Sequence, residues 1–127
     1  MRLAPADQQF DAPGMTTLTV ETATPAETDA VVATLTLAFA TDPATRWTWP
    51  EPKAFLAAFP RFAVAFGGAA FASGTAHRIG FSAAALWLPP GAGSDDAAIM
   101  TLMMETAHEQ TAADGPRVMQ AMESFHP

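Results

Sequence analysis

Ala85-Leu86-Trp87-Leu88-Pro89-Pro90-Gly91 is the stretch on which the reading of this chain turns. Residues 80–88 are short, apolar and bounded by turn formers, as a strand should be. Phe81 to Leu88 is apolar at both alternating sets of positions, so the spacing predicts a strand covered on both faces rather than one facing water. Pro89-Pro90-Gly91 stops it. Just upstream, Ala69 to Thr75 reads as a second strand, turning around Ala76-His77-Arg78-Ile79 to pair antiparallel with the first.

Working back toward the N-terminus, Glu51-Pro52 opens a helix in which Phe55, Phe59, Phe62 and Phe66 recur along one stripe. That stripe is expected to face the core. Pro60 should kink or break the helix, because it removes one backbone donor and crowds the preceding turn. Gly67-Gly68 should end it. Ala44 to Pro50 reads as irregular and Trp-rich. Before it, Thr24-Pro25-Ala26-Glu27 sets a cap, a first-turn proline and an acid at the start of a helix. Val31, Leu35, Ala38 and Phe39 share a face of that helix, and it should end near Asp42, ahead of Pro43. Met15 to Thr22 alternates β-branched and apolar residues as a first strand. Residues 1–14 read as a flexible tail.

Downstream, Ser94 is placed to cap a helix carrying Ile99, Leu102, Met103 and Thr106 on one side. Gly115-Pro116 should separate it from a last helix with Val118, Met119, Met122 and Phe125 at helical spacing, after which the sequence runs out at Phe125-His126-Pro127. The expected architecture is α/β of the mixed α+β kind, ordered β-α-α-β-β-α-α around a small, mainly antiparallel sheet. It occupies residues 15–127 and reads as an incomplete fold, one domain being the ceiling for this length.

Composition narrows the function classes. Thirteen acidic against six basic residues give a net charge of -7, and Lys53 is the sole lysine. Such a chain repels phosphate backbones and anionic lipid, so neither nucleic acid nor membrane is an expected partner. The 127 residues contain no cysteine, which removes disulfides, thiolate zinc sites and a cysteine nucleophile together. The N-terminal residues turn polar too early for a signal peptide, and the apolar run from Phe62 to Ala72 is too short to span a bilayer. A cytoplasmic location is the expectation.

Few residues stand out for chemistry. Gly91-Ala92-Gly93 precedes a helix start, where free N–H groups favour anions, but Asp96 stands where a phosphate loop needs glycine, and Asp95 adds a second carboxylate. His77, His108 and His126 have no partners at metal-ligand spacing, and no Gly-x-Ser-x-Gly elbow positions a nucleophile. Five methionines fall in the last two helices, read as core filling, with an adaptable apolar channel as the alternative. Trp47 and Trp49 either wall a ligand pocket or cap the core.

The order of these elements, through Ala38-Phe39, Asp42-Pro43, the Trp-rich segment and the Leu-Trp-Leu-Pro-Pro-Gly run at 86–91, resembles the front half of a GNAT-family N-acetyltransferase. In many bacterial members a similar third strand ends in such a run, two helices follow, and a His-Pro segment precedes the central strand. The resemblance covers residues 16–127. It implies transfer of acetyl from acetyl-CoA to a small amine, by direct attack of the amine on the thioester. It also implies an acceptor side bordered by the segment from Phe39 to Trp49, with Phe39, Asp42, Trp47 and Trp49 as candidate substrate-binding residues. The family's Gln/Arg-x-x-Gly-x-Gly/Ala loop, which grips the cofactor pyrophosphate, occurs nowhere in these 127 residues. The resemblance therefore implies a truncated member, inactive by itself and without tight acetyl-CoA binding. The alternative is a noncatalytic interaction module that completes its sheet with a partner chain or a second copy, through the open edge of the 80–88 strand.

Overall fold

The structure, a computed structural model, describes residues 9–10 and 17–125. The chain order is β1 (Gln9–Phe10), β2 (Leu18–Thr19), β3 (Glu21–Thr22), a 3-10 turn (Pro25–Glu27), α1 (Thr28–Ala38), α2 (Pro43–Thr48), α3 (Pro52–Gly67) and α4 (Ala69–Ser73). It continues with β4 (Ala76–Ile79), β5 (Ala83–Leu86), α5 (Asp96–Thr106) and α6 (Glu109–Glu123). The fold is mixed α/β, built on a three-stranded antiparallel sheet in the order β3-β4-β5, with a separate β1-β2 pair. Except for that pair, the flexible tail expected at 1–14 lies outside the described residues, as does the His126-Pro127 end.

Helix α1 starts as its sequence dictates. The Thr24 N–H and hydroxyl both donate to Glu27 Oε1, at 2.9 and 3.3 Å, which satisfies donors that a helix start leaves free. Its buried face is rotated from expectation, taking in Val31, Val32, Thr34 and Thr36 and leaving Ala38 and Phe39 exposed. The two threonines tolerate burial because each hydroxyl donates to a carbonyl, Thr34 to Ala30 and Phe81, Thr36 to Val32. The helix ends at Ala38, before the expected Asp42.

The segment expected to be irregular is helical. Pro43 does not merely forbid the previous helix; it opens α2 at a position where the missing N–H costs nothing. In α3, Phe55 and Phe59 are buried and Phe62 half-buried, but Phe66 is 54% exposed, so the stripe leaves the core at its last turn. Pro60 lies inside α3, which continues to Gly67 without the expected break.

The largest correction concerns residues 69–75, expected as a strand and found as α4 with a turn after it. Gly68 sits at φ -62, ψ -25, right-handed helical values, so the chain keeps winding. The stop comes at Gly74, whose φ of 70 is the left-handed conformation glycine adopts without strain. The hairpin partner of β5 is therefore Ala76–Ile79, the residues expected as the turn, with His77 opposite Ala85 and Ile79 opposite Ala83. Pro52 to Ser73 runs 22 residues and contains an 18-residue window of mean hydropathy 1.5, long and apolar enough by composition to cross a bilayer, whereas the run 62–72 taken alone is too short. In the fold it packs against Val32, Trp49 and Leu102.

Two joined clusters form the core. One unites Val32, Trp49, Phe55, Phe59 and Leu102 between α1, α3 and α5; the other unites Ala23, Val31, Ala70, Phe71 and Ala76 between α1, α4 and the sheet, and Leu35 touches both. Gly67 lets α3 approach the sheet, since a Cβ there would stand 2.8 Å from Leu86 Cδ1. Asp95, not Ser94, caps α5, accepting from the Ala98 N–H at 3.1 Å. The helix break falls at Ala107-His108, and Gly115-Pro116 runs inside α6.

Candidate functional site

The four candidate acceptor-side residues separate in the structure. Trp49 is 2% exposed, its Nε1 donates to Thr106 Oγ1 at 2.9 Å, and its ring meets Phe62 edge-on at 6.0 Å. It caps the core rather than walling a pocket. Trp47, two residues earlier on α2 and so nearly opposite on the helix, is 40% exposed. Phe39 is also 40% exposed and stacks on Phe59 with centroids 5.2 Å apart.

Asp42 is spent locally. Its Oδ2 accepts from the Thr45 N–H at 2.9 Å and the Thr45 hydroxyl at 2.8 Å, as a helix N-cap does. Those bonds, the backbone one foremost, hold its carboxyl below the usual aspartate range. Arg46, which no spacing singled out, gathers the segment: its guanidinium donates to the carbonyls of Ala40, Trp49 and Pro50 and lies 5.5 Å from the Phe55 ring centre. The α5–α6 junction is tied to the same place by His108 N–H to Thr48 C=O at 3.0 Å and Thr111 Oγ1 to Trp47 C=O at 2.7 Å. Arg46 thus braces the backbone from Ala40 to Pro50, the segment that carries Asp42 and Trp47.

A concave feature lies elsewhere, on the side of the sheet away from the helices. Alternation along paired strands puts Ala76, Arg78, Ala84 and Leu86 on the helix-packed face and His77, Ile79, Ala83 and Ala85 on the other. That second face, together with Val20, Trp87 and parts of Arg78 and Ala84, lines a groove of about 270 Å³. Trp87 at its rim is 64% exposed, and no described element packs over it. The double coverage expected for the 80–88 strand is thus absent among the described residues. Within the groove wall, His77 Nδ1 is sequestered from solvent without a hydrogen-bond partner among the described residues, an arrangement that costs free energy until a donor or acceptor reaches it.

Arg78 anchors the strand beside it. Its guanidinium pairs with Glu21 and with Glu27 Oε2 at 2.8 Å and lies 4.7 Å from the Phe81 ring centre. Glu27 is held below its ordinary range first by the Thr24 N–H and then by Arg78, whose own value is raised in return. Bonds within one ion cluster leave it a structural clamp, joining β3, β4 and the start of α1. The sequence carried a faint sign of it, a lone arginine in an apolar stretch and two glutamates flanking a cap.

Neither metal nor phosphate chemistry gathers anywhere described. No group of three or more His, Asp or Glu side chains converges among the described residues. The start of α5 is occupied by its own acids: Asp95 caps it, and Ser94 Oγ donates to Asp96 Oδ1. Two carboxylates thus stand at the positive end of α5, where an incoming pyrophosphate would meet like charge. No family model, curated protein or solved structure matches the chain.

Proposed function

We propose that this chain is the front part of a GNAT-like N-acetyltransferase whose full-length form moves an acetyl group from acetyl-CoA to a small amine in the cytoplasm. The observation that supports this reading is the sheet: β3, β4 and β5 are antiparallel in sequential order, the helices between β3 and β4 cover one face, and the other face and the outer edge of β5 are bare among the described residues. A sheet of this kind is stable when further strands extend it and further helices cover its second face. The surface around Phe39, Asp42 and Trp47 then borders the acceptor side, and the cofactor is held by residues outside these 127.

Coding sequence beyond codon 127, read in all three frames, is expected to encode a strand and then an Arg/Gln-x-x-Gly-x-Gly segment. Finding neither sinks the reading. The 127-residue chain alone is expected to give no heat on titration with acetyl-CoA, and micromolar binding would overturn the division of labour proposed here.

A second reading is favoured by one further observation, the unpaired backbone along β5. Here the chain is a noncatalytic interaction module whose partner strand completes the sheet.

A further inference from the structure

The outer edge of β5 can be read group by group. The Trp87 N–H donates to the Thr75 carbonyl at 3.1 Å, which fixes which residues of this strand point toward β4. In an antiparallel pair that orientation alternates, so Ala83 and Ala85 also turn their backbone groups inward, opposite Ile79 and His77. Ala84 and Leu86 turn theirs outward. The Ser82 N–H is already used, donating to the Ile79 carbonyl at 3.1 Å. The free edge thus consists of the N–H and C=O groups of Ala84 and Leu86.

We infer that this edge pairs with the same edge of a second copy, Ala84 of each chain opposite Leu86 of the other, doubling the three-stranded sheet to six. The inference rests on the interaction-module reading and deepens it by naming the partner. Three features single out a second copy. An antiparallel pair of identical strands has a two-fold axis of its own, so one edge serves as both halves of the contact. The register that matches outward groups to outward groups also sets large beside small, with Leu86 against Ala84 and Trp87 against Ala83. Finally, a chain of net charge -7 repels its copies almost everywhere, whereas residues 79–94 contain no charged side chain. Natural edges are blunted by lysine, proline or a bulge. Between Gly80 and Leu88 the sequence has no lysine and no proline, and Ala83 to Leu86 pairs with β4 residue for residue.

Light scattering on the 127-residue chain at about 100 μM is expected to give twice its 13.3 kDa mass. Two variants carry the test. Ala84→Pro removes an outward N–H and no inward one, and Ala83→Lys places a charge at an exposed position of the edge. Both are expected to be monomers with far-ultraviolet circular dichroism unchanged, Ala83→Lys serving if the proline disturbs the hairpin. A dimer that persists in Ala83→Lys overturns the proposal, as does a wild-type monomer. Amide exchange then separates the two failures. In a monomer whose Ala84 and Leu86 amides exchange freely, the second copy is refuted while the edge stays open to a foreign strand. If those amides are protected in a monomer, the interaction-module reading falls as well.

Discussion

The two faces of the β3-β4-β5 sheet are made by alternate residues of the same short strands, yet they meet opposite fates. On one, Ala76 and Leu86 pack beneath α1 and α4 with Val31 and Phe71; on the other, His77, Ile79, Ala83 and Ala85 line an uncovered groove beside Trp87. Along β5 nothing in side-chain chemistry divides them, since Ala83 to Leu86 is apolar on both. A sheet that meets water on one side ordinarily alternates apolar with polar. Along β5 the bare face is as apolar as a covered one; the acetyltransferase reading would cover it with further helices, whereas a partner strand paired along β5 would lengthen the sheet and leave that face open.

Paired tryptophan substitutions test that contrast most strongly. Trp49→Ala removes a buried ring and its bond to Thr106, and should cost about 3–5 kcal/mol, read as a lower urea midpoint. Trp87→Ala, on the bare face, should cost about 0.5 kcal/mol or less in the monomer. Equal losses would mean that the groove is already covered in solution.

Gly67→Ala probes the packed side where helix meets sheet. The new methyl would lie 2.8 Å from Leu86 Cδ1 and 3.2 Å from Leu86 Cβ. The first neighbour can rotate away, but the second moves only with β5. A loss of about 1 kcal/mol is expected, at the low end for overpacking because alanine also favours the helix. Unchanged stability would show that β5 is loosely held on both faces.

How much of this was legible in the sequence depends on which physical signal each residue carried. Helical spacing located Phe55 and Phe59 in the core, but it cannot say where the neighbouring elements end, so it carried the stripe on to the exposed Phe66. Ala69 to Thr75 failed for a different reason: a short apolar run has no decisive period, and Gly68 has no positive φ to end the winding. The misplacement of the hairpin followed from that single error. At the site, the proline rule set the end of the first helix near Asp42, but the helix stops at Ala38, and the rule gave no sign that Asp42 would be consumed as the cap of α2. Trp47 and Trp49 looked equivalent until helical α2 turned one outward and the other inward. Arg46 bonds only to carbonyls, which exist at every residue, so no pattern of side chains could have marked it.

Acid should loosen the packed side while leaving the edge chemistry untouched. Glu27 and Asp42 both titrate below their ordinary values of 4.5 and 3.8. A carboxyl depressed in the folded state binds protons more readily when unfolded, so its contribution is fully present above the unfolded value and lost as pH falls through the folded one. The urea midpoint is therefore expected to decline below about pH 4.5, and Glu27→Gln, which cannot titrate, should flatten part of the slope. The effect is the smallest of the three, because both groups face solvent. The edge from Ser82 to Leu88 has no ionisable side chain. Among molecules still folded, the dimer fraction should therefore show no fall tied to Glu27 protonation, the change in overall charge acting on it separately; dissociation in step with Glu27 protonation would place the contact on the packed side, near Arg78, instead of along β5.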